Sequence, residues 1–243
     1  MSSSVALVVG AGDGLGASIA KAFAGEGLTV CATRRARHED QLQALVAEIK
    51  SEGGTAHGFG VDARDEDETL ALFERIESEI GPLEVVVFNI GANVQFGIRE
   101  TSAQVYRKVW EMAAFSGFLA GREAARAMVP RQRGTILFTG ATASLRGAAG
   151  FSAFAGAKHA LRALAQSMAR ELGPQGIHVA HVVLDGAVDG NFIRGLYPDW
   201  EDRLAEESLL TPTHIAAEYV RLWKQPRDAW THELDLRPWK ESF

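Results

Sequence analysis

Residues 5–35, VALVVGAGDGLGASIAKAFAGEGLTVCATRR, restrict the possible folds more than any other stretch of the chain. Val5 to Val9 is a short, uninterrupted apolar run rich in β-branched side chains, which suits a parallel strand buried on both faces. Gly10, Gly12, Gly14 and Gly16 follow directly, removing side chains where the backbone must turn sharply before a helix opens near Leu15. That helix keeps Ile19, Ala20, Phe23 and Ala24 at core spacing, and residues 28–33 form a second strand. A helix start of this kind offers unpaired N–H groups and the positive end of a dipole, so a pyrophosphate fits there without a dedicated cation. Set between a strand and a helix inside a βαβ unit, the glycine turn points to dinucleotide binding.

Just past the second strand of such a unit the chain lies beside the adenosine ribose. An acid there accepts from a free 2′-hydroxyl, whereas an arginine pairs with a 2′-phosphate. The position, twenty residues after Gly14, is Arg34, followed by Arg35 and soon by Arg37. This favours NADP(H), with NAD(H) left open because Asp13 brings negative charge into the glycine turn.

Helical periodicity covers residues 41–50, 65–80, 105–129 and 154–172, and strand patterns cover 55–61, 83–88, 134–138 and 177–184. Their alternation predicts an α/β, Rossmann-type fold, a doubly wound parallel sheet with helices on both faces. At 243 residues the chain suffices for a single domain over 1–243 with a large core. The tail is less regular: 191–210 reads as a loop with short helices, 211–224 holds a helix, and 230–236 alternates like a last strand. Insertions after a late strand often lie over the ligand, so residues 189–212 are expected to cover a small-molecule substrate.

The net charge of −6 is spread along the chain with no basic block, which argues against nucleic acid or an anionic membrane as partner. Cys31, the single cysteine, cannot form an internal disulfide, so a reducing, cytoplasmic home is expected. The opening MSSSVALVV lacks a basic n-region and runs straight into the first strand, from which neither a signal peptide nor a spanning helix is expected. His178 and His181 lie three apart on a strand, hence on opposite faces, and no metal site is expected.

Several short motifs recur in a telling order. They are Gly10-x-x-x-Gly14-x-Gly16, Asp62-Ala63 after strand three, Asn89-Ile90-Gly91-Ala92 after strand four, Phe154-Ala155-Gly156-Ala157-Lys158 opening a helix, and Asp185-Gly186-Ala187-Val188 after strand six. With them the chain resembles the short-chain dehydrogenase/reductase family over essentially its whole length. The resemblance implies that Asp62 and Ala63 touch adenine, that Asn89 to Ala92, including Gly91, brace the sheet beside the cofactor, and that Gly186 and Val188 lie at its nicotinamide end. It further implies that Lys158 binds the nicotinamide ribose.

The chain departs from that family where the chemistry is done. The tyrosine four residues before the lysine is Phe154, the serine thirteen residues earlier is Ala141, and the asparagine of the preceding long helix is Ala114. The usual proline after strand six is Asp185, and a threonine that often follows is Gly190. Phe154 has no proton to give to an alkoxide. Replacement groups would come from Ser144, Thr142, Ser152 or a protonated Asp185, unless Asp185 instead caps a turn through backbone N–H groups, with Asn93 and Gln95 bordering the substrate. Two functions follow: an oxidoreductase with an altered proton pathway, or a cofactor-binding protein that no longer turns over and serves as sensor or silent subunit. Small residues on the helices around 104–129 and 154–172, among them Ala113, Ala114, Gly117, Ala120, Gly121 and Ala124, suggest close helix packing, and the resemblance implies a homodimer or homotetramer.

Overall fold

The computed structural model describes residues 4–241; the part of the N-terminal reading that rests on residues 1–3 falls outside that range. Seven parallel strands form one sheet in the order β3-β2-β1-β4-β5-β6-β7. They are β1 (Val5–Val9), β2 (Thr29–Arg34), β3 (Thr55–Gly60), β4 (Leu83–Phe88), β5 (Gly134–Thr139), β6 (Ile177–Leu184) and β7 (Glu233–Leu236). In β1 the two-residue side-chain period sends Ala6 and Val8 to one core and Val5, Leu7 and Val9 to the other. This is why the strand reads as apolar throughout.

The first core is closed by α1 (Leu15–Gly25), α2 (Glu39–Ser51) and α9 (Pro212–Trp223), the second by α3 (Glu66–Arg75), α5 (Ser116–Met128) and α6 (Ser152–Leu172). α4 (Ala103–Trp110) precedes α5, and the short α7 (Asn191–Leu196) and α8 (Trp200–Ala205) lie in the tail. After β3 the chain crosses back to place β4 against the other side of β1. At that reversal the loops beyond β1 and β4 diverge to opposite faces and leave a crevice at the strands' carboxyl ends.

Two expectations need correction. The helix foreseen over 105–129 is interrupted by a π-turn at Glu111–Phe115, where one extra residue per turn shifts the buried stripe. Ala114 lies in it. The last strand begins at Glu233 rather than residue 230, because Trp230 stacks face to face on His178 at 5.0 Å and the Thr231 amide donates to the Gln225 side chain. The small residues of the α5 region are spent inside the subunit. Ala113, Ala114, Ala120 and Ala124 are buried, and a Cβ on Gly117 or Gly121 would meet Leu161 Cδ1 at 2.5 Å or Met168 Sδ at 2.9 Å.

Candidate active site

Four strand ends converge on a cleft of about 270 Å³. Gly10 and Gly12 come from beyond β1, Arg34 and Arg35 from β2, Asp62, Ala63 and Arg64 from β3, and Asn89 and Gly91 from β4. Gly10 has φ +96°, and a Cβ there would stand 3.0 Å from the Asn89 carbonyl, so only glycine fits the turn. Asn89 ties the two loops together by donating from Nδ2 to the Gly10 carbonyl at 3.1 Å. Gly16 packs so tightly that a Cβ would collide with the Gly10 carbonyl. Gly12 and Gly14, by contrast, face open space, and α1 has no side-chain cap at Gly14. A pyrophosphate fits such a cradle: bare amides, the positive end of a helix, and no Cβ in the way.

The charges around the cleft are sorted into pairs. Arg64 grips Asp62 with Nε at 2.9 Å and Nη2 at 2.5 Å, which with burial opposing holds that carboxyl below its ordinary pKa. Arg34 reaches back to Asp13 at 2.5 Å. Arg35 makes no hydrogen bond or ion pair through its side chain with any described residue; burial and then the like charge of Arg37 lower its pKa. Thr33, His38, Val61, Ile90, Ala92 and Met112 also line the cleft. Most directly follow strands or already cited residues, a signal the sequence carried; Met112 comes from the π-turn and had none.

Leu15, Gly14 and Gly16 form the start of α1, outside the lining of the cleft. Gly186 is pressed against the C-terminal segment, where a Cβ would meet Pro238 Cδ at 2.6 Å. Val188 forms a bridge with Leu210 through the Ala187 carbonyl and the Asp189 amide. Its own amide and carbonyl therefore face away from Leu210.

Around Phe154 lies an apolar cluster. Ala143, Phe154 and Ala155 are buried together, with Ala141 and Phe151 packed on them. Lys158 lies one turn along from Phe154, its Nζ 5.9 Å from the ring centroid, and only 2% of its surface is exposed. The ammonium donates to the Thr139 carbonyl at 2.8 Å and the Ile90 carbonyl at 3.0 Å, and burial pushes its pKa down to about 7. Below it, His181 is also sealed in. Its Nδ1 lies 3.1 Å from Glu233, which Arg162 clasps at 2.6 and 2.7 Å, and burial pushes the imidazole down to about 4.

Two expected proton donors do not survive. Asp185 is fully buried, and burial alone would raise its pKa, yet Thr142 Oγ1 donates at 2.7 Å, Arg146 at 3.0 and 3.1 Å, and Arg237 stands at 3.2 Å. These donors hold it ionised, so it is neither a protonated acid nor a backbone cap. Ser144 is buried and turned inward, its oxygen accepting from the Ala141 amide at 3.1 Å. Ser152 Oγ is buried with no partner among the described residues. Asn93 and Gln95 sit in the loop after β4, where the Phe96 amide donates to the Gly150 carbonyl.

The geometry can be set beside known proteins. A short-chain dehydrogenase from Rhodopseudomonas palustris shares 48% identity and superposes with a TM-score of 0.83 over 97% of this chain and 99% of that one. Actinorhodin polyketide ketoreductase, solved with NADPH, is 25% identical with a TM-score of 0.89, covering 99% of this chain and 98% of its own. Zerumbone synthase of Zingiber zerumbet is 32% identical over 179 residues, 72% of this chain and 65% of the relative. The chain spans about two thirds of the length of the first curated relatives it matches. Residues 4–196 match the short chain dehydrogenase family, and with the parallel sheet and glycine cradle already in place, this chain belongs to that family.

Proposed function

We propose that this protein is an NADP(H)-dependent oxidoreductase that acts on a small molecule by hydride transfer with a non-standard proton donor. The observation that carries the reading is the cleft in which the glycine turn, Arg34 and Arg35, Asp62 and Ala63, and Asn89 and Gly91 come together from four strand ends. The glycine turn and the start of α1 bind the pyrophosphate through Gly12, Asp13, Gly14, Leu15 and Gly16, and Asp62 and Ala63 flank the adenine. Arg35, which feels the like charges of Arg37 and Arg64 and the opposite charge of Asp62 but makes no ion pair among the described residues, meets the 2′-phosphate. The dinucleotide, once bound, gives or takes the hydride. Lys158 orients the ribose, Val188 offers its backbone to the carboxamide, and residues 189–212 exclude water above the substrate.

With Phe154, Ala141 and Ala114 in place of hydroxyl and amide, suitable substrates are those that need little acid catalysis: an activated double bond, an iminium, or a carbonyl protonated through water. The apolar cluster of Ala141, Ala143, Phe151, Phe154 and Ala155 favours a second reading, a cofactor-binding sensor or silent subunit. Titration of NADPH and NADH by fluorescence, followed by incubation of the NADPH complex with carbonyl, enone and imine panels, separates the two. Oxidation on any panel supports the enzyme; tight binding without oxidation selects the silent protein; failure to bind either coenzyme sinks both. We further infer a homo-oligomer in the cytoplasm, on the aromatic face of α4 and α5 and the buried, lone Cys31.

A further inference from the structure

The contact between Arg34 and Asp13 joins two loops that the sheet brings side by side. β1 and β2 pair in register, Val9 opposite Thr33, so the glycine turn beyond one strand and the arginines beyond the other emerge as neighbours. Arg34 lines the cleft and is only 13% exposed, while Asp13 is 47% exposed at the mouth. Among the described residues, Arg34 is the one ion-pair or hydrogen-bond partner of the Asp13 carboxylate. An arginine inside the cleft is thus already paired with an anion supplied by the chain.

We propose that Asp13 is an internal competitor for the 2′-phosphate: its carboxylate occupies Arg34 until the phosphate of NADP(H) displaces it, whereas NAD(H) binds with the pair intact. The inference rests on the dinucleotide reading above and adds a residue that sets coenzyme preference. Arg34 has one fork of donors, and a carboxylate and a phosphate oxygen both fit it. Whatever the carboxylate gains from Arg34 is subtracted from the affinity for NADP(H), and its own charge repels the phosphate. Neither cost falls on NAD(H), which has a hydroxyl at that position. Asp13 therefore narrows the gap between the two coenzymes, and Arg35 carries the remaining preference.

The test is a binding cycle on the full chain, read by calorimetry with NADPH and NADH and, as smaller probes, with adenosine 2′,5′-bisphosphate and 5′-AMP. Asp13→Asn keeps the size of the side chain and removes its charge. We expect the ratio of NADPH to NADH affinity to rise roughly two- to fivefold, the scale of one exposed ion pair released. The same rise is expected for the bisphosphate over 5′-AMP, and it should vanish when Arg34→Ala is added to Asp13→Asn. Binding of both coenzymes with an unchanged ratio overturns the inference and leaves the dinucleotide reading standing, as does a rise that persists without Arg34. Binding of none of the four probes by wild type or a variant with wild-type circular dichroism overturns both.

Discussion

Phe154 stands four residues before Lys158, and on the proposed reading its consequence is chemical before it is structural. Losing one general acid costs about 10²–10⁴ in rate, and losing a neighbouring hydroxyl donor about 10²–10³, the two acting as a unit. Lys158 remains beneath the ring, so the combined change Phe154→Tyr and Ala141→Ser returns a hydroxyl to the vicinity of an ammonium. We expect carbonyl reduction with NADPH to rise at least about 100-fold in that variant; an unchanged rate means that the pocket serves another chemistry. The lysine itself should be visible in the pH dependence of stability. Its ordinary pKa of 10.5 falls to about 7 in the fold, mainly through burial. Between those values the unfolded chain binds more protons than the folded one, so stability rises with pH, and below about 7 the cost of burying the charge is felt in full. In urea unfolding at pH 6, 8 and 10, the stability of Lys158→Met relative to wild type should therefore fall by on the order of a few kcal/mol as the pH rises. A difference that stays flat refutes the burial of a charged amine.

At the scale of elements, α5 and α6 approach closely because glycine stands at their contact. Gly117 faces Leu161 and Phe88, and Gly121 faces Met168 and Phe138. Gly117→Val drives two methyl groups into that seam, and we expect it to lose about 1–3 kcal/mol of stability by chemical denaturation, any gain in helix propensity notwithstanding. Gly25→Ala, at the end of α1 with open space around it, is the control and should be neutral or stabilising. Apolar spacing foresaw α5 as a helix but not the π-turn before it, because a single added residue barely changes a helical period. The side chain of Lys158 was foreseen one turn from Phe154 by helical geometry. Its partners were not, since they are backbone carbonyls 19 and 68 residues away.

For the molecule as a whole, the surface feature that most needs explaining is an aromatic row along α4 and α5. Trp110 and Phe118 are 42% and 40% exposed, each stacked on Phe115, and Tyr106 is 44% exposed a turn earlier. Such a row is a poor surface to leave in water and a good one to bury against a second copy, whose symmetry would set the same patch against itself. Trp110→Glu combined with Phe118→Glu should convert a dimer or tetramer to monomers in sedimentation at unchanged circular dichroism. A wild-type protein that sediments as a monomer removes the assembly.

The order of strands and helices and the glycine turn follow from local chemistry: side-chain period and turn-forming residues each act over a few residues, so residues 5–35 disclose them directly. The pairing of charges was not local. Asp185 could be read from sequence as a neutral acid or a turn cap, and only the fold, bringing Arg146 and Arg237 to it from other strand ends, makes it a buried carboxylate that stays ionised. Likewise Arg34 reads as a phosphate ligand until the neighbouring ends of β1 and β2 give it Asp13. Electrostatic partners are chosen by distance in space, and distance in space is set by the sheet.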